Sequence, residues 1–380
     1  MKIAFLSYSF TEYSVRHANE MVPEHDVLLL LPENQMGDAA ALVDPRVKYQ
    51  GFHRPRYRQP IQQLRTIRQI LRAIHQFQPD VVHYQNGHLF FNMVLPLLRK
   101  YPMVITIHDP RQHLGDRESR LTPQWLMDFG FRRADQVIVH GSDLVGIVEK
   151  EIGFKREKIH VIPHIAIGER PEAPEDLETG PNILFFGRIW EYKGLDYLIK
   201  AEPLVSAEFP DVRFVIGGTG EDFDRYRRQM IHPDRFDVHN DWISDAERAR
   251  MFSESSIVVL PYVEASQSGV IPIAYTHGKP VIATTVGGLP DMVDHGRTGL
   301  LVPPRDADAL AAAMIELLRD RERRKIMGKL GREKLERECD ASVVVRQTLS
   351  VYEEAVRSGG RSPSRSSVKR EVKSSGEVVP

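Results

Sequence analysis

"IVVLPYVEASQSGVIPIAYTHGKPVIATT", residues 257–285, opens on a β-branched run and crosses a loop of small polar residues. An apolar stretch follows, stops at Gly278-Lys279-Pro280, and gives way to a second β-branched run. Strand, helical stretch and strand in that order read as a βαβ unit, because parallel neighbours need a crossover that a helix supplies. Ligands of open parallel sheets bind beyond the carboxyl ends of the strands, where helix N-termini present unpaired N–H groups. A helix is expected from about Ser268, its start free of bulky groups, so Ser266, Gln267, Ser268, Gly269 and Val270 are candidate phosphate-binding residues. A carboxylate beside them would repel phosphate. Glu264 is therefore assigned to accept hydrogen bonds from the hydroxyls of an adjoining sugar, the alternative being a charge that complements the helix dipole.

The same alternation extends in both directions. Strands are expected at Lys2–Leu6, Asp26–Leu31, Val47–Gly51, Asp80–Tyr84, Met103–His108, Gln136–His140 and His160–Pro163. A second set follows at Asn182–Phe186, Val212–Gly217, Phe236–Asn240, Ile257–Tyr262, Pro280–Thr284 and Gly299–Val302. Between the sets, "AIGERPEAPEDLETGP" (166–181) has the proline, glycine and acid of a linker. The organisation expected is α/β: two Rossmann-like domains at 1–166 and 182–340, a final helix at 341–357, and a disordered tail at 358–380. A length of 380 residues with 42% hydrophobic content is enough for two cores.

With 51 basic against 52 acidic residues the chain has no global field for nucleic acid. One cysteine, Cys339, makes no intramolecular disulfide and suits a reducing compartment. No apolar run approaches the ~18 residues of a spanning helix, and "MKIAFLSYSFTEYS" is not a signal peptide, so a cytoplasmic protein is expected.

Three further loops of the second half follow strands as the opening stretch does. In "FFGRIWEYKG" (185–194), Gly187 lets the backbone turn while Arg188 and Lys193 place two cations beside it, a pairing that suits a diphosphate. The alternative is that both are ordinary loop cations. In "IGGTGED" (216–222), Gly218 and Gly220 let a ligand approach the backbone, although tight-turn packing explains most such glycines. "TTVGGLPDMV" (284–293) offers Gly287, Gly288 and Asp291. Four loops on one sheet edge point to a shared nucleoside-diphosphate site. No metal is expected: "DAD" (306–308) starts a helical segment, where acids cap, and lacks a third ligand. Neither a G-x-S-x-G elbow nor a G-x-G-x-x-G after the first strand is present, which disfavours a serine hydrolase and a dinucleotide oxidoreductase.

These motifs, with "PDVVH", "VITIHD", "RRADQVIVHGS" and "DWISDAERARMFSESSIVVLPY", resemble the family 4 retaining glycosyltransferases of GT-B fold across roughly residues 1–357. The resemblance implies two Rossmann-like domains facing across a cleft, the second holding a nucleoside-diphosphate sugar, the first an acceptor, and a last helix crossing back. It also implies retention at the anomeric carbon, no bound metal, and no cofactor besides the donor substrate. Carried over by residue, it puts Arg188 and Lys193 on the diphosphate, where they offset leaving-group charge. Gly218 and Gly220 fall in the donor-side loop. Ile243, after Trp242, falls where main-chain groups hold the base. His108 of "TIHD" falls on the acceptor side near the donor sugar, against the alternative of a strand-end histidine bonded to its own backbone; Asp109 is a weaker candidate. Two departures stand out. Ile273 occupies the place of a ribose-binding glutamate, Glu264 sits one residue ahead of its usual companion, and "SQSG" resembles a subgroup pattern. Where many members carry a paired-glycine loop after the first strand, this chain has "SYSFTEYS" (7–14).

In the first half, Ile61, Leu64, Ile67, Leu71 and Ile74 recur at helical spacing, and Arg65, Arg68 and Arg72 avoid that stripe. A basic face results that could meet anionic lipid at the inner membrane face or an anionic acceptor, unless it is simply the solvated side of a core helix. The function expected is transfer of a sugar to a glycan, lipid-linked or small-molecule acceptor. The rivals are a nucleotide-sugar epimerase or hydrolase of the same fold, and a catalytically silent partner protein.

Overall fold

The computed structural model describes residues 1–85, 87–111, 123–167 and 177–359, with Asp38 described for its backbone alone. Most of the expected linker and nearly all of the expected disordered tail lie outside the described residues.

Every expected strand forms, with ends shifted by a residue or two. The first sheet contains β1 (Lys2–Ser7), β2 (Asp26–Pro32), β3 (Lys48–Phe52), β4 (Val81–Gln85), β5 (Met103–Ile107), β6 (Gln136–Val139) and β7 (Ile159–Val161), all parallel, in the order β3-β2-β1-β4-β5-β6-β7. The second contains β8 (Asn182–Phe186), β9 (Arg213–Gly217), β10 (Phe236–His239), β11 (Ile257–Leu260), β12 (Val281–Thr284) and β13 (Gly299–Val302), also parallel, in the order β10-β9-β8-β11-β12-β13. Strand order reverses beside β1 and beside β8, and the loops leaving such switch points form ligand crevices.

Both faces of each sheet are covered, so inner strands such as β1, β5, β11 and β12 are buried along nearly their whole length, whereas the edge strands β3 and β10 carry polar, partly exposed residues. On β1, Ala4 and Leu6 enter one cluster with Leu28 and Leu30, while Ile3 and Phe5 enter another with Val27 and Leu29. That second cluster also takes Val344, Val351, Tyr352 and Ala355 from the last helix, Ala341–Ser358. The chain thus returns to the first sheet after completing the second. Tyr352 Oη is hydrogen-bonded to His83 Nδ1, and His83 Nε2 to Thr106 Oγ1 at 2.8 Å.

Two helices depart from expectation. In helix Pro60–Phe77 the buried positions are Gln63, Thr66, Ile67, Ile70, Ala73 and Ile74, while Ile61 and Leu64 are 69% and 47% exposed. The apolar stripe read from the sequence is rotated because two polar side chains find carbonyl partners inside: Gln63 Nε2 donates to Pro55 O at 3.0 Å and Thr66 Oγ1 to His53 O at 2.9 Å. The helix of the 257–285 stretch is Val270–Thr276, with Gly269 as its N-cap rather than a start at Ser268. Ser268 stays outside it: its Oγ accepts from Val270 N–H at 3.2 Å and lies 3.2 Å from Tyr262 Oη.

Candidate functional site

The loops leaving β1 and β8 face one another across a cavity of about 460 Å³. From the second sheet it is lined by Gly187, Arg188, Tyr192 and Lys193, and by Gln267, Ser268, Gly269, Val270 and Ile273. The first sheet supplies Phe10, Glu12, Tyr13, His108, Asp109 and His164. Arg188, Lys193 and His108, named from the sequence, therefore meet in one cleft.

Gly187 adopts φ +119°, in the left-handed region, and a Cβ there would meet only the Val270 side chain at 3.6 Å, so the loop turns with its face open to the cleft. Arg188 is exposed, its Nη2 donating to Tyr192 Oη at 3.1 Å. Lys193 Nζ stands 3.7 Å from the centre of the Tyr262 ring. Its pKa is brought down to about 7, first by burial and then by the Arg188 charge, with Asp109 acting in the opposite direction. Two cations this close repel one another, and a polyanion between them would relieve that repulsion.

His108 is 1% exposed and part of a cluster of buried rings. Its ring stacks on Phe10 at 3.9 Å between centroids and lies 4.6 Å from His140. His108 Nε2 is 2.7 Å from Gln85 Oε1; an amide oxygen only accepts, so Nε2 carries the proton. Gln267 Nε2 then donates to His108 Nδ1 at 3.3 Å, a bond from one sheet's loop to the other's. Burial, and then the surrounding histidines, hold the His108 pKa well below its usual value. The ring is neutral and anchored at both nitrogens by side chains, unlike a strand-end histidine bonded to its own backbone.

Other residues singled out from the sequence stand outside the cavity lining. Glu264 is half-buried on the loop before it, and its N–H approaches Tyr192 O at 3.4 Å. Ser266 is buried, its carbonyl accepting from Gly288 N–H at 3.2 Å. Ile243 packs against a core cluster beside Trp242, which is 89% exposed. A Cβ on Gly218 would stand 1.9 Å from Gly187 O, and one on Gly220 1.9 Å from Ile189 O. These two glycines let one loop lie directly on another, and Ile189 N–H donating to Thr219 O at 2.8 Å seals the contact. Gly287 does the same against Ala265 O, while Asp291 accepts from Ser142 N–H at 2.8 Å and so ties the two halves together.

The structure adds Phe10, Glu12, Tyr13, His164 and Tyr192 to the lining. Phe10 lies in the segment that replaces the paired-glycine loop, and it adopts φ 58°, ψ 49°, a left-handed conformation rare for a bulky residue. The aromatic ring thus stands in a backbone position that suits glycine. Among the described residues, no group of three His, Cys, Asp or Glu side chains is arranged to hold a metal ion.

Comparison with known proteins agrees with this architecture. A family model described as "Glycosyltransferase Family 4" matches residues 12–165, and one described as "Glycosyl transferases group 1" matches residues 180–320. A glycogen synthase of Mycobacterium tuberculosis is 28% identical over 304 residues, covering 76% of this chain and 71% of the relative. A phosphatidyl-myo-inositol mannosyltransferase of Mycobacterium leprae is 32% identical over 201 residues, 52% of each chain. Among solved structures, Anabaena HepE in complex with UDP and glucose superposes with a TM-score of 0.72 at 18% identity, covering 93% of this chain and 100% of that one.

Proposed function

The chain belongs to the family 4 glycosyltransferases of GT-B fold, and on that premise we propose that it moves a hexose, with retention and without a metal, from a nucleoside-diphosphate sugar to a hydroxyl acceptor. The observation that carries this reading is the convergence of Arg188 and Lys193 on one cleft wall opposite His108 and Phe10 on the other.

As the bond between anomeric carbon and diphosphate oxygen breaks, negative charge grows on the departing diphosphate. In this reading Arg188 and Lys193 take it up, the task a metal performs in other sites. A retained configuration needs the acceptor oxygen to arrive on the face the diphosphate leaves, so the hydroxyl proton passes to the departing phosphate oxygen. Gln267 and Gln85 hold the His108 ring at its two nitrogens, and the ring is assigned to the neighbourhood of the donor sugar. Glu264 is assigned to sugar hydroxyls, and the main chain at Ile243 to the base. Ile273, 8% exposed, puts an apolar side chain on the cleft wall, and it is assigned to the ribose. The experiment is incubation with UDP-, GDP- and ADP-sugars, with and without chelator, following nucleotide release and the anomeric configuration of the product. Transfer that survives chelation and gives the donor's own anomer is expected; inversion, or loss on chelation restored by magnesium, would overturn the mechanism.

No described helix is long and apolar enough to cross a membrane. A cytoplasmic enzyme resting weakly on anionic lipid fits the outward face of helix Pro60–Phe77, where Ile61 and Leu64 accompany the exposed Arg65, Arg68 and Arg72.

A further inference from the structure

A second cavity, of about 400 Å³, lies at the amino-terminal edge of the second sheet, opposite the cleft. One wall is the turn His277–Pro280 between helix Val270–Thr276 and β12; the other is helix Arg321–Glu338. Two glycines bring them together. A Cβ on Gly328 would stand 1.7 Å from Gly278 O, and one on Gly331 2.4 Å from the Tyr275 ring. This approach gathers cations: Lys279 from the turn, and Arg324, Lys325, Lys329 and Arg332 from successive turns of the helix, all line the space.

One carboxylate, Glu178, lines it with them. It is already engaged, accepting from Arg324 Nη2 and from Ser256 Oγ at 2.8 Å, with Arg321 Nε 3.8 Å away. Lys325, Lys329 and Arg332 lie 3.7, 4.0 and 3.1 Å from Glu322, Glu333 and Glu336, acids of the same helix that do not line the cavity. Lys279 and Arg324 are 5% and 6% exposed. Arg324 Nη1 donates to Leu317 O and Leu318 O at 2.7 and 2.9 Å, yet its buried Nε has no hydrogen-bond partner among the described residues. A buried guanidinium N–H without an acceptor is costly, and the two carbonyl bonds of Nη1 hold the side chain in place against that cost. Buried cations at the base and exposed lysines at the rim are the chemistry that holds a phosphoryl group. The same field acts on His277, whose pKa is lowered to about 4 by burial, then by Lys279, Arg248 and Arg332.

We propose that this cavity binds a phosphorylated small molecule, at a site separate from the donor cleft. The volume admits a phosphomonoester or a diphosphate and no macromolecule. Inorganic phosphate, pyrophosphate and glycerol phosphate are titrated calorimetrically into the full chain, into Arg188→Ala/Lys193→Ala, and into Lys325→Glu/Lys329→Glu. Saturable binding that persists in the cleft variant and weakens about tenfold or more in the lysine variant is expected. Comparison of the three probes separates a free phosphate from an ester. Melting curves check that the variants fold, and Lys325→Gln/Lys329→Gln decides the matter with a smaller loss if the charge reversal does not fold. No saturable binding to the cleft variant up to ~10 mM, or equal binding in both lysine variants and the parent, would overturn the assignment.

Discussion

Lys193 titrates near neutrality in the free protein because burial and Arg188 both disfavour its charge. A diphosphate held against it reverses that balance and raises its pKa. Binding of a nucleoside diphosphate at pH 8 should therefore take up about one proton, and at pH 6 almost none. Calorimetry in buffers of different ionisation enthalpy measures this, and an uptake independent of pH would place the diphosphate elsewhere. Arg188→Ala or Lys193→Ala should lower turnover by about a hundredfold or more, with a smaller loss of nucleotide binding, the pattern for a group that acts on transition-state charge. Both cations were legible in the sequence because they follow Gly187, a glycine just after a strand. Phe10 was harder to read: a left-handed backbone under an aromatic side chain follows no local preference, and its stack on His108 joins segments far apart in sequence. Phe10→Gly relieves the backbone but removes the stack, so transfer should fall while the melting temperature changes little; a fall in both would make Phe10 a packing residue alone.

At the scale of elements, the donor-side loops are stacked through their glycines. Gly218 has φ +141° and its Cβ position overlaps Gly187 O, so Gly218→Ala must displace the loop that carries Arg188. A loss of about 2 kcal/mol or more of stability is expected in chemical denaturation, accompanied by weaker nucleotide binding. Sequence placed these glycines beside the ligand because a glycine that admits a ligand and one that admits a neighbouring loop look the same; only the partner distinguishes them. Helix Pro60–Phe77 shows the converse. Its length was legible from periodicity, but its buried face was not, since the carbonyls that satisfy Gln63 and Thr66 belong to the segment before the helix. Replacing Arg65, Arg68 and Arg72 with glutamate should abolish cosedimentation with anionic vesicles and leave the fold intact; unchanged cosedimentation would remove this face from the membrane account.

Across the whole molecule, the inner strands were readable because a strand buried on both faces is largely apolar along its length, while the polar edge strands β3 and β10 were readable from their place in the alternation of strand and helix. The packing of the first half around a histidine cluster was not, for no local pattern announces that His17, His83, His108, His140 and His164 share one interior. Burial is the main reason all five have lowered pKa values, to about 3 for His17 and His140 and about 4 for His164. A depressed histidine pKa contributes stability above the unfolded value of ~6.5 that is lost as pH falls toward the folded value, about 1.4 kcal/mol per pH unit for each histidine. Melting temperature should drop steeply between pH 6.5 and 4.5; a flat profile would show that the cluster protonates without unfolding. The cleft these halves form is tested most directly by the binding of nucleotide sugars in the presence of chelator. At least one of UDP-, GDP- and ADP-sugars should bind the parent chain saturably, and Arg188→Ala/Lys193→Ala should weaken that binding about tenfold or more. Binding that requires a metal, or that is equally tight in the parent and the double variant, would contradict the proposed donor site.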